Sequence, residues 1–171
     1  MRRPDDPEPP VPNAVLGVVL LIGAEAMMFA ALISAYLIYR IGGGGPWPPP
    51  GQPRLPLGVT AANTAVLLGS GLLVWRRRLL PGFLLGLLFL AVQGSEWIRL
   101  LGYGLRITRD IYGATFYTLV GLHAAHVLAG LVWLGVSLAR RTGGRLSRIY
   151  WAFVVLLWPA LFALVYLPWK P

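Results

Sequence analysis

The sequence predicts an all-α polytopic membrane protein, a single bundle of five transmembrane helices. Three observations carry this reading. Of 171 residues, 57% are hydrophobic and 12% charged, whereas soluble domains carry about 25% charged residues. Mean hydropathy is +0.67. The apolar residues also fall into five runs, each long enough or nearly so to cross a hydrocarbon core about 30 Å thick. Backbone groups in lipid must be satisfied within the segment, so the runs are read as helices. The alternating segments of roughly ten residues that would mark a membrane β-barrel do not occur.

The elements follow in order. Residues 1–13 (MRRPDDPEPPVPN), proline-rich with charges of both signs, read as a short disordered tail. A single membrane domain over 14–171 follows, with helices at about 14–40, 57–76, 79–101, 111–139 and 149–168. The first run, Ala14–Tyr39, holds one charge, Glu25. It continues well past the Ala24-Glu25-Ala26 stretch that could imitate a leader-peptide cleavage site, so it is read as a retained helix. Loop 42–56 (GGGGPWPPPGQPRLP) joins flexible glycines to a stiff proline stretch. Leu57–Trp75 carries no charge and stops at Arg76, Arg77 and Arg78. Leu79–Ser95 runs on through Glu96 to Ile98, Ile111–Ala139 is uncharged, and so is Ile149–Trp169, where Pro159 implies a kink. Trp75, Trp97, Trp151 and Trp169 lie near expected helix ends, where tryptophans anchor in the headgroup layer.

Net charge is +9 and the isoelectric point near 10.9. In a soluble protein this would suggest nucleic acid. Here the basic residues stand between apolar runs, so they report topology and no nucleic-acid partner is expected. Nine Lys and Arg fall on the side of the N-terminus and the 76–78 and 140–148 loops, against six on the other. The excess places the N-terminus in the cytoplasm and the C-terminus outside. The absence of cysteine excludes disulfides, thiolate metal sites and cysteine nucleophiles.

Few residues are left for chemistry. A carboxyl group inside a membrane helix costs a few kcal/mol or more on insertion scales and is a candidate functional group. Glu25 lies about 17 Å along its helix, near mid-bilayer, and is expected to hold its proton there. His123 and His126, three apart on one helix face, come to nearly the same depth, about 18 Å from the outer end. Gln93 on the third helix is also near mid-depth. Glu25, Gln93, His123 and His126 are therefore expected to form one polar cluster. Glu96, nearer the outer end, is placed to pair with Arg99 three residues on. Two histidines at this spacing can share a metal, but a site needs more ligands, so no metal and no cofactor is assigned to this chain. Gly17, Gly23, Gly69, Gly71, Gly121 and Gly130 allow close helix approach.

These residues resemble a known family, subunit III of the haem-copper oxidases (cytochrome c oxidase subunit III), in its short five-helix bacterial form. Gly23-Ala24-Glu25-Ala26-Met27-Met28-Phe29, continuing to Ser34-Ala35-Tyr36 and Arg40, is similar to the family's glutamate-centred helix. Trp47-Pro48-Pro49-Pro50-Gly51, then Leu57 and Asn63-Thr64, is similar to its loop and next helix, and Gln93-Gly94-Ser95-Glu96-Trp97 to its Gln-x-x-Glu-aromatic motif. The most specific stretch is Tyr112-Gly113-Ala114-Thr115-Phe116 through Gly121-Leu122-His123-Ala124-Ala125-His126-Val127. The motifs occur in the family's order over nearly everything from Leu16 onward. There are two departures. The last helix reads Trp151-Ala152-Phe153-Val154-Val155, where the family pattern has His and Asp at 152 and 155, and the two extra N-terminal helices of the seven-helix form are missing.

The resemblance implies a non-redox accessory subunit of a terminal oxidase in a bacterial plasma membrane. Haem and copper would reside in a partner, oxidase subunit I, the main contact. Subunit II and a small subunit IV would complete the assembly, with phospholipid bound to this chain. The implied role is to stabilise the complex and to support oxygen access and proton uptake, with Glu25 carrying most weight and Glu96, His123 and His126 carried over by motif. Other readings stay open at this stage. These are a subunit associated with a bacterial nitric oxide reductase, an independent proton-coupled transporter using Glu25 and the histidines, and a haem enzyme with His123 or His126 as axial ligand.

Overall fold

The computed structural model describes residues 13–43, 45–53, 55–108, 110–141 and 144–167. It contains five helices: α1 (Asn13–Gly42), α2 (Leu57–Trp75), α3 (Leu79–Gly102), α4 (Ile111–Ala139) and α5 (Arg145–Tyr166). All five are long and apolar enough to cross a membrane. Asn13, expected in the tail, already belongs to α1, while residues 1–12 lie outside the described residues, as does Trp169.

Local chemistry sets the boundaries. Asp110 caps α4, its carboxylate accepting from the Gly113 N–H at 2.8 Å. At the end of α2, Arg77 takes a left-handed φ of 62°. The Arg78 N–H then reaches the Leu73 carbonyl at 2.9 Å, closing the helix by the six-to-one bond of a left-handed C-terminal cap. α5 starts at Arg145, four residues before the expected position. Gly144 at φ 57° turns the chain, and the Arg148 N–H closes the first turn on the Gly144 carbonyl at 2.9 Å. Charges read as a loop are thus the first helical turn, because a helix can extend past the hydrocarbon with its arginine heads in the interface.

Helices α2, α3, α4 and α5 form a closed ring in which each packs on the next and α5 returns to α2. α5 staples the ring from inside. Trp151 is fully buried, its indole seated over Gly86 of α3 and Gly130 of α4, and its Nε1–H donates to Ser70 of α2 at 3.2 Å. Two turns on, Trp158 donates to Thr64 of α2 at 2.8 Å, meets Phe89 of α3 edge-on and stacks with His123 of α4. Trp151 is therefore a core residue and not the interfacial anchor expected of it, since the earlier start of α5 carries it well into the helix. Trp97 also turns inward, edge-on against Tyr117. Trp75 alone of the described candidates stands out from a helix end, 65% exposed.

α1 lies outside this ring, in the seam between α4 and α5, and packs on neither α2 nor α3. Its upper end is held by Arg40, which donates to the Leu164 carbonyl at 2.5 Å and to the Leu167 carbonyl at 3.3 Å, at the C-terminus of α5. A cation there also complements the helix dipole. Trp47 from the following loop donates to the Tyr36 hydroxyl at 3.1 Å and packs edge-on between Tyr36 and Tyr112. Most other α1 side chains face outward, with Leu20 65% and Met27 75% exposed. With Ile98 and Leu156 they form an apolar belt around the bundle that only lipid or other apolar chains can cover.

Candidate functional site

Antiparallel packing levels the two polar residues that face each other across the α1–α4 seam. Glu25 is about 18 Å from the start of α1, and His126 about 20 Å from the end of α4 on the same side of the bundle. His126 Nε2 lies 3.7 Å from Glu25 Oε1. From α5, the Tyr150 hydroxyl donates to the same oxygen at 3.4 Å. Phe29, one turn along α1, closes over the imidazole with ring centroids 5.1 Å apart. Glu25 Oε2 is buried with no hydrogen-bond partner among the described residues.

The hydrogen bonds constrain the proton. His126 Nδ1 sits 2.7 Å from the Leu122 carbonyl, which can only accept, so Nδ1 carries a hydrogen. Nε2, facing Glu25, is then the atom whose protonation can vary. An acid facing a neutral imidazole, or a carboxylate facing an imidazolium, leaves the pair with no net charge. Removing the shared proton would set two lone pairs against each other in a seam lined by apolar side chains, which is costly. The geometry sets the Glu25 carboxyl oxygen between the His126 Nε2 and the Tyr150 hydroxyl, which donates to it.

The remaining candidates do not join it, so the expected single cluster divides. His123 turns into the ring, 1% exposed, stacked on Trp158 at 5.0 Å, and neither ring nitrogen has a partner among the described residues. Gln93 is on α3, away from α1, and donates to the Tyr166 hydroxyl at 3.1 Å. Glu96 is buried and accepts from Arg99 at 2.9 Å, the pair that the spacing suggested. The division arises because three residues along a helix turn the side chain by about 60°, enough for His123 to face α5 while His126 faces α1. Among the described residues no group of three or more His, Asp or Glu side chains gathers as a metal site. The positions departing from the family pattern, Ala152 and Val155, line an apolar groove against α2, where Val155 packs into the space left by Gly71.

Sequence reasoning missed Tyr150, Tyr166 and Trp158, the α5 partners of Glu25, Gln93 and His123. Their recurrence at seven to eight residues, in step with Trp151, was the available signal. It marks one stripe of large aromatics along α5.

Comparison with known proteins agrees with this architecture. The model of the family described as cytochrome c oxidase subunit III matches residues 11–170. The probable cytochrome c oxidase subunit 3 of Mycobacterium leprae is 32% identical, over 91% of this chain and 88% of its own length. The cytochrome c oxidase subunit 3 of Synechocystis is 34% identical, over 90% of this chain and 75% of its own. That of Pongo abelii is 33% identical, over 88% of this chain and 67% of its own. With five helices able to cross a membrane and a family match over almost its whole length, the chain is a multi-pass membrane protein and belongs to the cytochrome c oxidase subunit III family.

Proposed function

We propose that this chain is the non-redox accessory subunit of a terminal haem-copper oxidase. It packs beside the catalytic subunit I, with subunit II and a small subunit IV completing the complex, and holds phospholipid at its surface. The haem and copper that reduce O2 belong to the partner. The observation that carries the functional part is the Glu25–His126–Tyr150 site, a carboxyl group at mid-depth on a seam open to lipid, held by a histidine and a phenol. Transfer of its proton to His126 Nε2 leaves the net charge of the pair unchanged, whereas uptake of a further proton from one side would add one positive charge, which must pass on before the next proton enters. The site supports proton uptake by the complex from a position beside the catalytic subunit. The apolar α1 face around it gives oxygen, which partitions into lipid, an approach to the same seam. The relatives reported above carry oxidase names, which favours this reading over a nitric oxide reductase partner or an independent transporter.

The basic loops orient the chain in this proposal. Arg76–Arg78 and Arg140, Arg141, Arg145 and Arg148 share one end of the ring, so the N-terminus is cytoplasmic and the C-terminus lies outside a bacterial plasma membrane. The test of function is gentle purification of the tagged chain from its native membrane, followed by an optical spectrum. An a-type haem signal with a large copurifying subunit is expected. Only b- and c-type bands would favour a nitric oxide reductase partner or an oxidase without a-type haem. Absence of haem and of a large partner, in a preparation that keeps other complexes intact, would refute the oxidase role.

A further inference from the structure

At the end of the bundle that carries the basic loops, a cleft of about 480 Å³ opens between the α2–α3 turn and the start of α5. Arg77, Arg145 and Arg148 line it from two separate segments, beside the Ser147 hydroxyl and the Trp133 indole. Among the described residues none of the three pairs with a carboxylate. Arg77 stands at φ 62°, a conformation that glycine would take without strain, so charge is held there at the expense of local stability. Arg148 reaches the Trp75 carbonyl at 3.5 Å, while its Nε is buried without a partner among the described residues.

The chain has six acidic residues. Three are committed elsewhere: Glu25 in the α1 seam, Glu96 to Arg99, and Asp110 to the cap of α4 at the opposite end. The other three, Asp5, Asp6 and Glu8, are grouped in the N-terminal segment, outside the described residues. That segment enters the bundle at the end where the arginines converge. α1 and α5 run parallel, with Glu25 beside Tyr150. From that level α1 extends back to Asn13 and α5 back only to Arg145, so α1 projects about 10 Å beyond the first turn of α5. With packed helices about 8–10 Å apart, the two starts are separated by roughly 14 Å. An extended proline-rich chain, at about 3.1 Å per residue, carries Glu8 about 16 Å from Asn13. Asp6 and Asp5 reach about 22 and 25 Å, far enough to meet Arg77 on the other side of the cleft. Pro4, Pro7, Pro9 and Pro10 favour that extended form, whose threefold turn sets Asp5 and Glu8 on one edge. A chain restricted in this way loses less entropy on docking. The segment is too polar to pack as a core, but an ionic dock asks for no apolar surface.

We infer that Asp5, Asp6 and Glu8 dock in the cleft against Arg77, Arg145 and Arg148, so that this chain's own N-terminal segment clamps the basic end of α1 to the ring. Among the described residues, Glu25 makes the polar contact between α1 and the ring that lies nearest that end. The dock adds an attachment beyond it. It explains why three guanidinium groups converge where the rest of the chain offers no acid, and why three acids are grouped between prolines. The dock needs one chain alone, with no haem, partner subunit or proton transfer, so it can fail while the oxidase reading stands.

The test is arginine modification in the protein as purified from its native membrane, with whatever subunits accompany it. Phenylglyoxal reacts with accessible guanidinium groups, and peptide mass spectrometry reads Arg145 and Arg148 separately. Both should react on the order of fivefold more slowly in the wild type than in D5N/D6N/E8Q, the scale of a few surface ion pairs acting together. The shielding should fall away near about 1 M NaCl, where the screening length is about 3 Å. D5N/D6N/E8Q alters no helix and removes no basic residue, so folding and orientation should be retained. A second readout follows the segment itself. The chain has no cysteine, so nitroxides on P4C and L80C, the latter exposed in the first turn of α3, are the only labels. Pulsed electron–electron resonance should give one narrow distance in P4C/L80C. The distribution should broaden at least twofold when D5N/D6N/E8Q or R145Q/R148Q is added, and stay narrow with R76Q/R78Q, which removes equal charge beside the cleft without lining it. If R145Q/R148Q does not assemble, R77Q carries the same comparison. Equal broadening with R76Q/R78Q would reduce the effect to general surface charge. Arg145 and Arg148 equally slow in the wild type and in D5N/D6N/E8Q would show that a lipid or a partner subunit covers the cleft, and equally fast that the segment does not. A broad distance in P4C/L80C alone would place the segment elsewhere. Each of these results would overturn the proposal.

Discussion

Replacing Glu25 separates two accounts of its site. Glu25→Ala removes the acceptor for Tyr150 and the group facing His126 Nε2, at 3.4 and 3.7 Å. Both contacts are long, so the applicable scale is the mean for interhelical polar contacts in a membrane bundle, about 0.6 kcal/mol each, with a ceiling of about 1.7. The expected loss is about 1–2 kcal/mol. In a chain of this size that lowers the melting temperature by about 2–8 °C. Glu25→Gln has a different expectation. If Glu25 is the neutral acid, the amide atom in the place of Oε1 keeps one of the two contacts, donating to His126 Nε2 as NH2 or accepting from Tyr150 as oxygen, and the loss is about half that of Glu25→Ala, about 0.5–1 kcal/mol. Thermal unfolding of the purified protein in detergent, followed by loss of the monodisperse chromatographic peak, reads both variants. Glu25→Gln falling as far as Glu25→Ala would mean that His126 is the cation and Glu25 the anion, and would refute the neutral-acid reading.

Other predictions follow from the same geometry. A hydrophobic carbodiimide should label Glu25, which opens on the lipid-facing seam, while Asp5, Asp6 and Glu8 stay unmodified; labelling confined to the N-terminal tail would refute the assignment. Gly130→Ala sets a methyl 2.8 Å from the Trp151 ring, an overpacking that should cost about 1–3 kcal/mol in a melting assay. Gly17→Ala, which meets nothing within 4 Å, should be neutral or mildly stabilising, and equal effects of the two would argue against close packing at Trp151. Asp110→Ala removes the cap of α4 and the acceptor of the Gln52 amide, so hydrogen exchange in the first turn of α4 should rise, with a loss of about 1 kcal/mol. Neutralising Arg76, Arg77 and Arg78 together should weaken the N-inside orientation in a reporter fusion; an unchanged orientation would mean that the 140–148 loop is sufficient.

The helices were legible because the solvent dictates them: lipid demands long apolar segments, and charges punctuate them. The pairing of polar residues was less so. Depth can be counted along one helix, but the offset between helices cannot. Glu25 is twelve residues into α1 and Tyr150 five into α5. Counted from their starts, the two stand about 10 Å apart in depth, yet they touch because α1 begins that much further out. Rotation was the second blind spot. His123 and His126 share a helix face only loosely, and a difference of about 60° sent one to Trp158 and the other to Glu25. Glu96 and Arg99 escaped both problems, because their pairing needs only one helix.

The same offset shows how α1 is held. Glu25 meets Tyr150 and Arg40 meets Leu164, sequence separations of 125 and 124. α1 therefore runs beside α5 in one parallel register. The two attachments differ in kind. Arg40 donates two charge-assisted bonds to terminal carbonyls of α5 that have no intrahelical partner, a contact indifferent to any proton on α1. Glu25 is attached through one oxygen, at longer distances, to groups whose hydrogen bonding depends on where the proton sits. Docking of α1 can thus persist through a change of protonation at Glu25, because the upper contacts carry it. A carboxyl group meant only to lock the helix would be better placed with both oxygens bonded. Here Oε2 has no partner among the described residues, which is the arrangement expected under the proposed proton-carrying role, in which Glu25 would take up and release a proton without loosening the helix that bears it.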